Sequence, residues 1–141
     1  MKRFNLFTLF ACLYFPMMSW ADIYIITHPS TPIQSISRKD LAAIYLRKKR
    51  YWKDDSPIVP INLSALSPLR DQFTQTIFNR SPHEMGGYWN KMSFKGIHPP
   101  LIQSSEQTAL LFIQRVPNTI AYVSSRPDNN LVKVLLTLTT Q

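Results

Sequence analysis

The chain has 141 residues and a formal net charge of +8, from 16 lysines and arginines against 8 aspartates and glutamates. With three glycines it lacks a glycine-rich phosphate cradle, and its single cysteine, Cys12, excludes an internal disulfide. The basic balance favours anionic partners without identifying them.

The N-terminal segment has the features of a secretory signal. Two basic residues precede an apolar stretch at residues 4–15, which is too short to span a bilayer, and Ser19-Trp20-Ala21 is a small-x-small cleavage pattern. We predict that residues 1–21 are removed and that residues 22–141 form one periplasmic domain. A lipid attached at Cys12 and an uncleaved anchor are the alternatives.

The first predicted elements are a strand and a short helix. Residues 22–28 are β-branched and aromatic, which predicts a strand buried in a sheet. Ser37 has the spacing of a helix cap, with Asp40 three residues later, and it begins a helix predicted over residues 38–46.

A basic run follows this helix, with four cations at residues 47–50 and another at Lys53. It could bind nucleic acid, anionic lipid or an acidic protein. It could equally be a solvated helix end, where cations are favourable beside the free carbonyl groups. Export argues against nucleic acid, and we favour the helix-end interpretation.

The next predicted strand covers residues 58–63, and Pro60 within it indicates an edge strand or an irregularity. Ser67-Pro68 then predicts a helix start, with serine at the N-cap and proline at the first helical position. Phe73 and Ile77 belong to the apolar face of this helix, and Asn79-Arg80 closes it.

The second half of the chain continues the alternation of helices and strands. Ser81 has the spacing of a capping box with Glu84, which predicts a third helix to about Met92, with Gly86-Gly87 in its middle. The remaining predicted elements are a strand at residues 101–102, a helix capped by Ser105, and strands at residues 120–123 and 131–138. This order predicts an α/β fold, as a single three-layer-like domain with a mixed sheet.

The sequence contains no pattern typical of catalysis or of metal binding. His28, His83 and His98 lack ligand spacing, and there is no G-x-S-x-G nucleophile elbow. The adjacent carboxylates Asp54 and Asp55 lie in a polar turn that explains them without catalysis. We therefore predict neither an enzyme nor a metal or cofactor site.

Helix N-termini are the remaining candidates for chemistry, because their unpaired N–H groups and partial positive charge favour anions. The start at Ser67 is the best candidate, since Arg70 lies in the first turn and could reach an anion held there. Pro68 removes one donor from the same turn. The alternative is that Ser67 merely caps its own helix and Arg70 faces solvent.

Several segments of the chain match known motifs. Residues 36–52 resemble the stretch "lt-x-x-x-L-x-x-I-F-x-G-k-x-x-x-W", the segment Ser67-Pro-Leu-Arg-Asp-Gln-Phe73 is similar to "S-G-T-R-x-x-F", and Pro117 to Val123 is similar to "P-G-A-I-G-Y-V". Three shorter matches lie between them: Tyr88-Trp89, Phe94-Lys-Gly96 and Ser105-Glu106. In this order, the set resembles the phosphate ABC-transporter substrate-binding proteins.

This resemblance implies one lobe of a two-lobed type II periplasmic binding protein, whose cleft holds a tetrahedral oxyanion. It implies ligand-binding positions at Ser67, Leu69 and Arg70, with Ser64 or Asn62 contributing. The motif departs from the family, because Pro68 replaces a glycine and Leu69 replaces a threonine.

Two functions follow as expectations. The first is an exported protein that binds phosphate or another small oxyanion, with an ABC permease as partner and a second lobe from a homodimer or from another protein. The second is an envelope interaction module, accessory or sensory, that kept the lobe without the ligand.

Overall fold

The computed structural model describes residues 21–139, so all but the last residue of the predicted signal segment lie outside the described part. The elements in chain order are β1 Ile23–Thr27, α1 Arg38–Tyr45, β2 Val59–Leu63, α2 Pro68–Phe78, α3 Gly86–Ser93, β3 Leu101–Gln103, α4 Glu106–Arg115, β4 Thr119–Val123 and β5 Lys133–Leu138. Within these residues, no helix is both long and apolar enough to cross a membrane.

The five strands form one mixed sheet in the order β3-β2-β4-β1-β5. β2 runs parallel to both β3 and β4, whereas β1 is antiparallel to β4 and β5, with a bulge between Ile25 and Ile26 on the β5 side. The mixed α/β sheet predicted from the sequence is confirmed.

Helices cover both faces of this sheet. Tyr45 of α1 and Phe73 of α2 pack on Tyr122 of β4, while α4 packs against β4 next to Val123. Adjacent residues of a strand point to opposite faces, so α1 and α2 form one outer layer and α4 forms the other. The apolar residues of the strands fill both interfaces, and β4 is buried along its whole length.

Pro60 lies in an inner strand, so of the two predicted alternatives the edge strand is wrong, whereas the sheet is irregular at this position because its β3 side is unpaired. Val59 donates its N–H to the carbonyl of Asn118 on the β4 side (2.9 Å), which turns the nitrogen of Pro60 to the opposite side. The partner there, β3, begins to pair only at Ile61. The missing N–H of proline therefore costs the sheet no hydrogen bond.

The third helix begins at Gly86 rather than at Ser81. The side chain of Ser81 does accept from the N–H of Glu84 (3.2 Å), and the Glu84 carboxylate accepts from the N–H of Ser81 (2.7 Å). These reciprocal bonds close a turn, and the helix starts after Met85. Gly86-Gly87 thus lies in the first helical turn, where weak helix propensity matters less than in the middle.

The basic run after α1 agrees with the helix-end interpretation. Arg47 has a left-handed backbone (φ 60°), and the N–H groups of Lys48 and Lys49 both donate to the carbonyl of Ala43. The ammonium group of Lys49 pairs with Asp40 at 3.3 Å. The run lies before β2, at the end of the sheet opposite the carboxyl ends of the parallel strands.

Candidate anion-binding site

The carboxyl ends of the three parallel strands lie at one edge of the sheet, and α2 and α4 start directly after two of them. We call this the carboxyl edge: the ends of β2, β3 and β4 with the N-termini of α2 and α4. Because helix N-termini and strand ends converge there, such an edge is the usual ligand position in open α/β sheets.

Ser67 is the N-cap of α2, as the sequence predicts. Its hydroxyl accepts from the N–H of Arg70 at 3.4 Å, and Pro68 occupies the first helical position. Its own N–H donates to the carbonyl of Ser64 (2.9 Å), whose hydroxyl accepts from the N–H of Leu66 (3.3 Å). The hydroxyls of both predicted serines therefore stabilise the loop, because each already accepts a hydrogen bond from a backbone N–H of the loop or of the first helical turn.

Most backbone N–H groups of this loop already have an acceptor. Besides those of Leu66, Ser67 and Arg70, the N–H of Ser64 donates to the carbonyl of Gln103 at the end of β3, and that of Asp71 donates to the carbonyl of Ser67. Within residues 64–71, this leaves the N–H groups of Ala65 and Leu69 for a ligand. The Leu69 side chain is 7% exposed and packs in the core, so this position can offer only its backbone.

Arg70 turns back toward the sheet instead of facing solvent. Its Nη1 donates to the carbonyl of Leu63 at 2.8 Å, and its Nε is buried without a hydrogen-bond partner. Among residues 21–139 the single ion pair joins Lys49 to Asp40, so the half-buried guanidinium has no carboxylate partner there. Burial lowers the pKa of Arg70 from its ordinary value, and the nearby Tyr122 opposes this effect.

Asn62 binds Tyr122 rather than facing an open cleft. The Tyr122 hydroxyl donates to Oδ1 of Asn62 and accepts from the N–H of Leu63 (3.3 Å). Sequence reasoning missed Tyr122 as part of this site, because Asn62 and Tyr122 are 60 residues apart and meet only through the pairing of β2 with β4. The family resemblance includes Tyr122 in a motif but gives it no role.

A small cavity of about 20 Å³ lies beside the guanidinium. Its lining includes Tyr45, Asn62, Arg70 and Trp89. A space of this size holds roughly one water molecule but no tetrahedral oxyanion. An anion would therefore bind outside this cavity, over the loop of residues 64–67.

The N-terminus of α4 already holds an anionic group from the chain itself. The Glu106 carboxylate accepts from the N–H of Ser124 at 2.7 Å and from its hydroxyl at 2.9 Å. Ser105 caps the helix in a reciprocal pair with Thr108. A wider cavity of about 480 Å³ lies beside Glu106, against the loop that contains Arg126 and Asp128. Both helices carry a carboxylate in the first turn, Asp71 in α2 and Glu106 in α4, and the one in α4 is fixed by Ser124 at the carboxyl edge.

The described residues contain no group of three His, Cys, Asp or Glu side chains placed to hold a metal ion. The aromatic pair Tyr88-Trp89 packs edge-on, and the Tyr88 hydroxyl donates to the carbonyl of Leu46 at 2.7 Å. This fits a packing role for both rings better than a ligand-stacking surface.

Several solved structures that share this fold are described as phosphate-transport proteins. A Clostridium perfringens structure, described as a phosphate ABC transporter substrate-binding protein with bound phosphate, superposes with a TM-score of 0.65 at 22% identity. An ABC-type phosphate transport receptor from Vibrio cholerae gives 0.62 at 16%, and PstS from Borrelia burgdorferi gives 0.63 at 18%. The chain has the fold of one lobe of such a protein.

The matches cover 82% of this chain but 45%, 46% and 47% of the three solved chains, so the chain spans less than half of each. The predicted one-lobe fold is confirmed. The first two solved structures are described as a substrate-binding protein and a transport receptor. No protein-family model and no curated protein matches the chain.

Proposed function

We propose that the chain is an exported, solute-binding-like lobe that takes phosphate or another small oxyanion at the carboxyl edge. Removal of residues 1–21 would leave residues 22–141 in the periplasm. The single observation that supports anion binding is Arg70, a half-buried guanidinium at the end of β2 without a carboxylate partner among the described residues. A buried charge is costly unless it is paired, and a bound anion would pair it.

An anion over the loop of residues 64–67 would meet several donors at once. The N–H groups of Ala65 and Leu69 are outside the internal hydrogen bonds, and the hydroxyls of Ser64 and Ser67 face the same loop. The partial positive charge of the α2 N-terminus adds to the charge of Arg70. Pro68 supplies no donor, so we expect weak binding by one lobe alone.

A second lobe would close the site in the two-lobed arrangement of the solved phosphate-binding proteins. We propose that it comes from a second copy of this chain or from another envelope protein, and that an ABC permease receives the ligand. Each solved structure is about twice the length that this chain matches, which supports a site shared between two lobes.

Isothermal titration calorimetry with inorganic phosphate and with sulfate tests this proposal. We expect Arg70→Met to abolish the heat of binding, because it removes the cation. Arg115→Met is the matched control, since Arg115 is exposed at the opposite end of α4 and its loss leaves the site intact. Absence of heat and of thermal stabilisation by millimolar phosphate or sulfate in the unaltered protein contradicts anion binding, because a ligand at 100 times its Kd stabilises a fold by about 2.7 kcal/mol.

A second candidate function is an envelope interaction module without a ligand. The observation that favours it is Glu106, whose carboxylate already binds the donors of Ser124 at the α4 end of the carboxyl edge. A fixed negative charge at this edge repels an incoming anion. Cross-linking in intact cells tests it: a stoichiometric envelope partner that is captured equally by the unaltered protein and by Arg70→Met would support this candidate.

A further inference from the structure

We propose that Tyr122 is the positioning residue of the candidate site: its hydroxyl, through Asn62 and the backbone of Leu63, holds the Arg70 guanidinium at the end of β2. The functional part of this inference rests on the proposed function, because positioning matters for binding only if Arg70 serves an anion. The contacts themselves are part of the fold.

Two hydrogen bonds connect the phenol to the guanidinium through the backbone of Leu63. The Tyr122 hydroxyl accepts from the N–H of Leu63 at 3.3 Å, and the carbonyl of the same leucine accepts from Nη1 of Arg70 at 2.8 Å. Oδ1 of Asn62 accepts from the Tyr122 hydroxyl and also from the N–H of Leu63 at 3.1 Å. The conformation of Leu63, and with it the position of Arg70, is therefore set from the β4 side.

The ring of Tyr122 is fixed independently of its hydroxyl. It stacks on Phe73 with ring centroids 3.9 Å apart and planes inclined by 6°. Phe73 is 1% exposed, so this stack belongs to the core. The hydroxyl therefore reaches Asn62 and Leu63 from a rigid base, and its removal leaves the packing of the ring in place.

The groups that hold Arg70 are all neutral. Asn62 contributes an amide and Leu63 contributes its backbone N–H and carbonyl. The phenol of Tyr122 is neutral at pH 7 with its ordinary pKa, and burial raises that pKa further. A carboxylate in the place of Asn62 would also orient the arginine, but it would neutralise its charge. Because these groups are uncharged, they orient the guanidinium of Arg70 without neutralising its positive charge, which can then attract an anion.

The first test measures positioning without any ligand, by NMR of the arginine side chains. The Nε–H of Arg70 is buried, so we expect a resolved signal with slow solvent exchange. Tyr122→Phe should accelerate this exchange at least tenfold, because the conformation of Leu63 is released. Tyr45→Phe is the matched control: it removes a buried hydroxyl of the same aromatic cluster, which donates to the carbonyl of Ile61 and not to the Arg70 network. Equal exchange in the unaltered protein and in Tyr122→Phe overturns the proposal.

The second test titrates inorganic phosphate and sulfate into the same variants. We expect Tyr122→Phe to weaken binding about tenfold, or about 1.4 kcal/mol, and Tyr45→Phe to leave the Kd unchanged despite a similar loss of stability. Asn62→Asp should abolish binding near neutral pH while retaining the fold, because its carboxylate neutralises Arg70. The Asn62→Asp variant tests the charge beside Arg70, whereas the comparison of Tyr122→Phe with Tyr45→Phe tests positioning.

The outcomes separate the two proposals. If the unaltered protein binds neither anion but Tyr122→Phe accelerates the exchange of Arg70, the proposed function fails and the positioning role is supported. If the protein binds phosphate or sulfate and Tyr122→Phe retains both the Kd and the exchange rate, the positioning role fails and the proposed function is supported.

Discussion

Phe73 of α2 and Tyr122 of β4 stack in parallel, with ring centroids 3.9 Å apart, and Tyr45 of α1 meets Phe73 edge-on at 4.8 Å. This cluster joins two helices to the central part of the sheet. It lies directly beneath the turn that carries Arg70, so the core and the candidate site share Tyr122. Experiments on substitutions in this cluster must therefore measure stability and ligand affinity separately.

Removal of the central ring should cost much of the stability of the domain. Phe73→Ala should lower the free energy of unfolding by about 3–5 kcal/mol, because it leaves a cavity between Tyr45 and Tyr122. Phe94→Ala is the control, since Phe94 is 94% exposed and its removal should change stability by less than about 0.5 kcal/mol. Urea unfolding measures both. Similar losses in the two variants would contradict the assignment of Phe73 to the core.

The cap of α2 should contribute measurably without any ligand. Ser67→Ala should lower the free energy of unfolding by about 1 kcal/mol, because the N–H of Arg70 loses its acceptor. Ser81→Ala is the comparison, since Ser81 has similar local bonds but closes a turn ahead of α3. We expect a loss below about 0.5 kcal/mol there. Thermal unfolding of the ligand-free protein distinguishes the two serines, and a larger loss at Ser81 would contradict this difference.

Pro68 should limit the affinity of the site. Pro68→Ala adds an N–H at the first helical position, where no carbonyl of the helix can accept it, so an anion gains a donor. Affinity for phosphate should rise about tenfold, while stability falls by about 0.4–1 kcal/mol because the unfolded chain gains freedom.

Pro29→Ala is the control for this change. Pro29 lies in the exposed loop after β1, at the opposite edge of the sheet. Calorimetry should show a higher affinity for Pro68→Ala alone. An unchanged Kd in Pro68→Ala would place the anion elsewhere than at the N-terminus of α2.

The buried phenols should destabilise the protein in alkali. Burial raises the pKa of Tyr45 and of Tyr122 above the ordinary value. The unfolded chain therefore releases these protons more readily, so the free energy of unfolding should be constant up to about pH 10 and fall above it. Chemical unfolding at a series of pH values measures this slope.

Substitution at either tyrosine should reduce the slope, because one titrating group is removed. Phe112→Leu serves as the control, since this partly buried residue does not titrate. It should lower the free energy of unfolding equally at every pH. An alkaline slope that is the same in Tyr122→Phe and in the unaltered protein would contradict the role of this phenol.

Local patterns predicted most of the elements because caps and strand runs are determined by near neighbours. Ser37, Ser67 and Ser105 all accept from the backbone N–H three residues later, as their spacing predicts. The same pattern failed at Ser81, where the capping bonds form but the helix begins five residues later at Gly86. A capping box thus predicts the local hydrogen bonds of a turn. Whether a helix continues from that turn depends on the residues that follow and on their packing.

At Pro60 the sequence left two alternatives, an edge strand and an irregularity, and the edge strand is the one that proved wrong. Proline excludes a hydrogen bond on one side of a strand, but the sequence does not tell which neighbour lies on that side or where that neighbour begins. β3 is short and starts to pair at Ile61, so β2 tolerates the proline inside the sheet.

By itself, the sequence determined the α/β alternation, the cap at Ser67 and the presence of a cation in the first turn of α2, since these depend on residues a few positions apart. The tertiary structure decided where that cation points. Strand pairing brings Tyr122 to Asn62 across 60 residues, and burial leaves the Nε of Arg70 without a partner. The charge of Arg70 is a property of its chemistry, but its direction is fixed by the pairing of β2 with β4 and by the core beneath them.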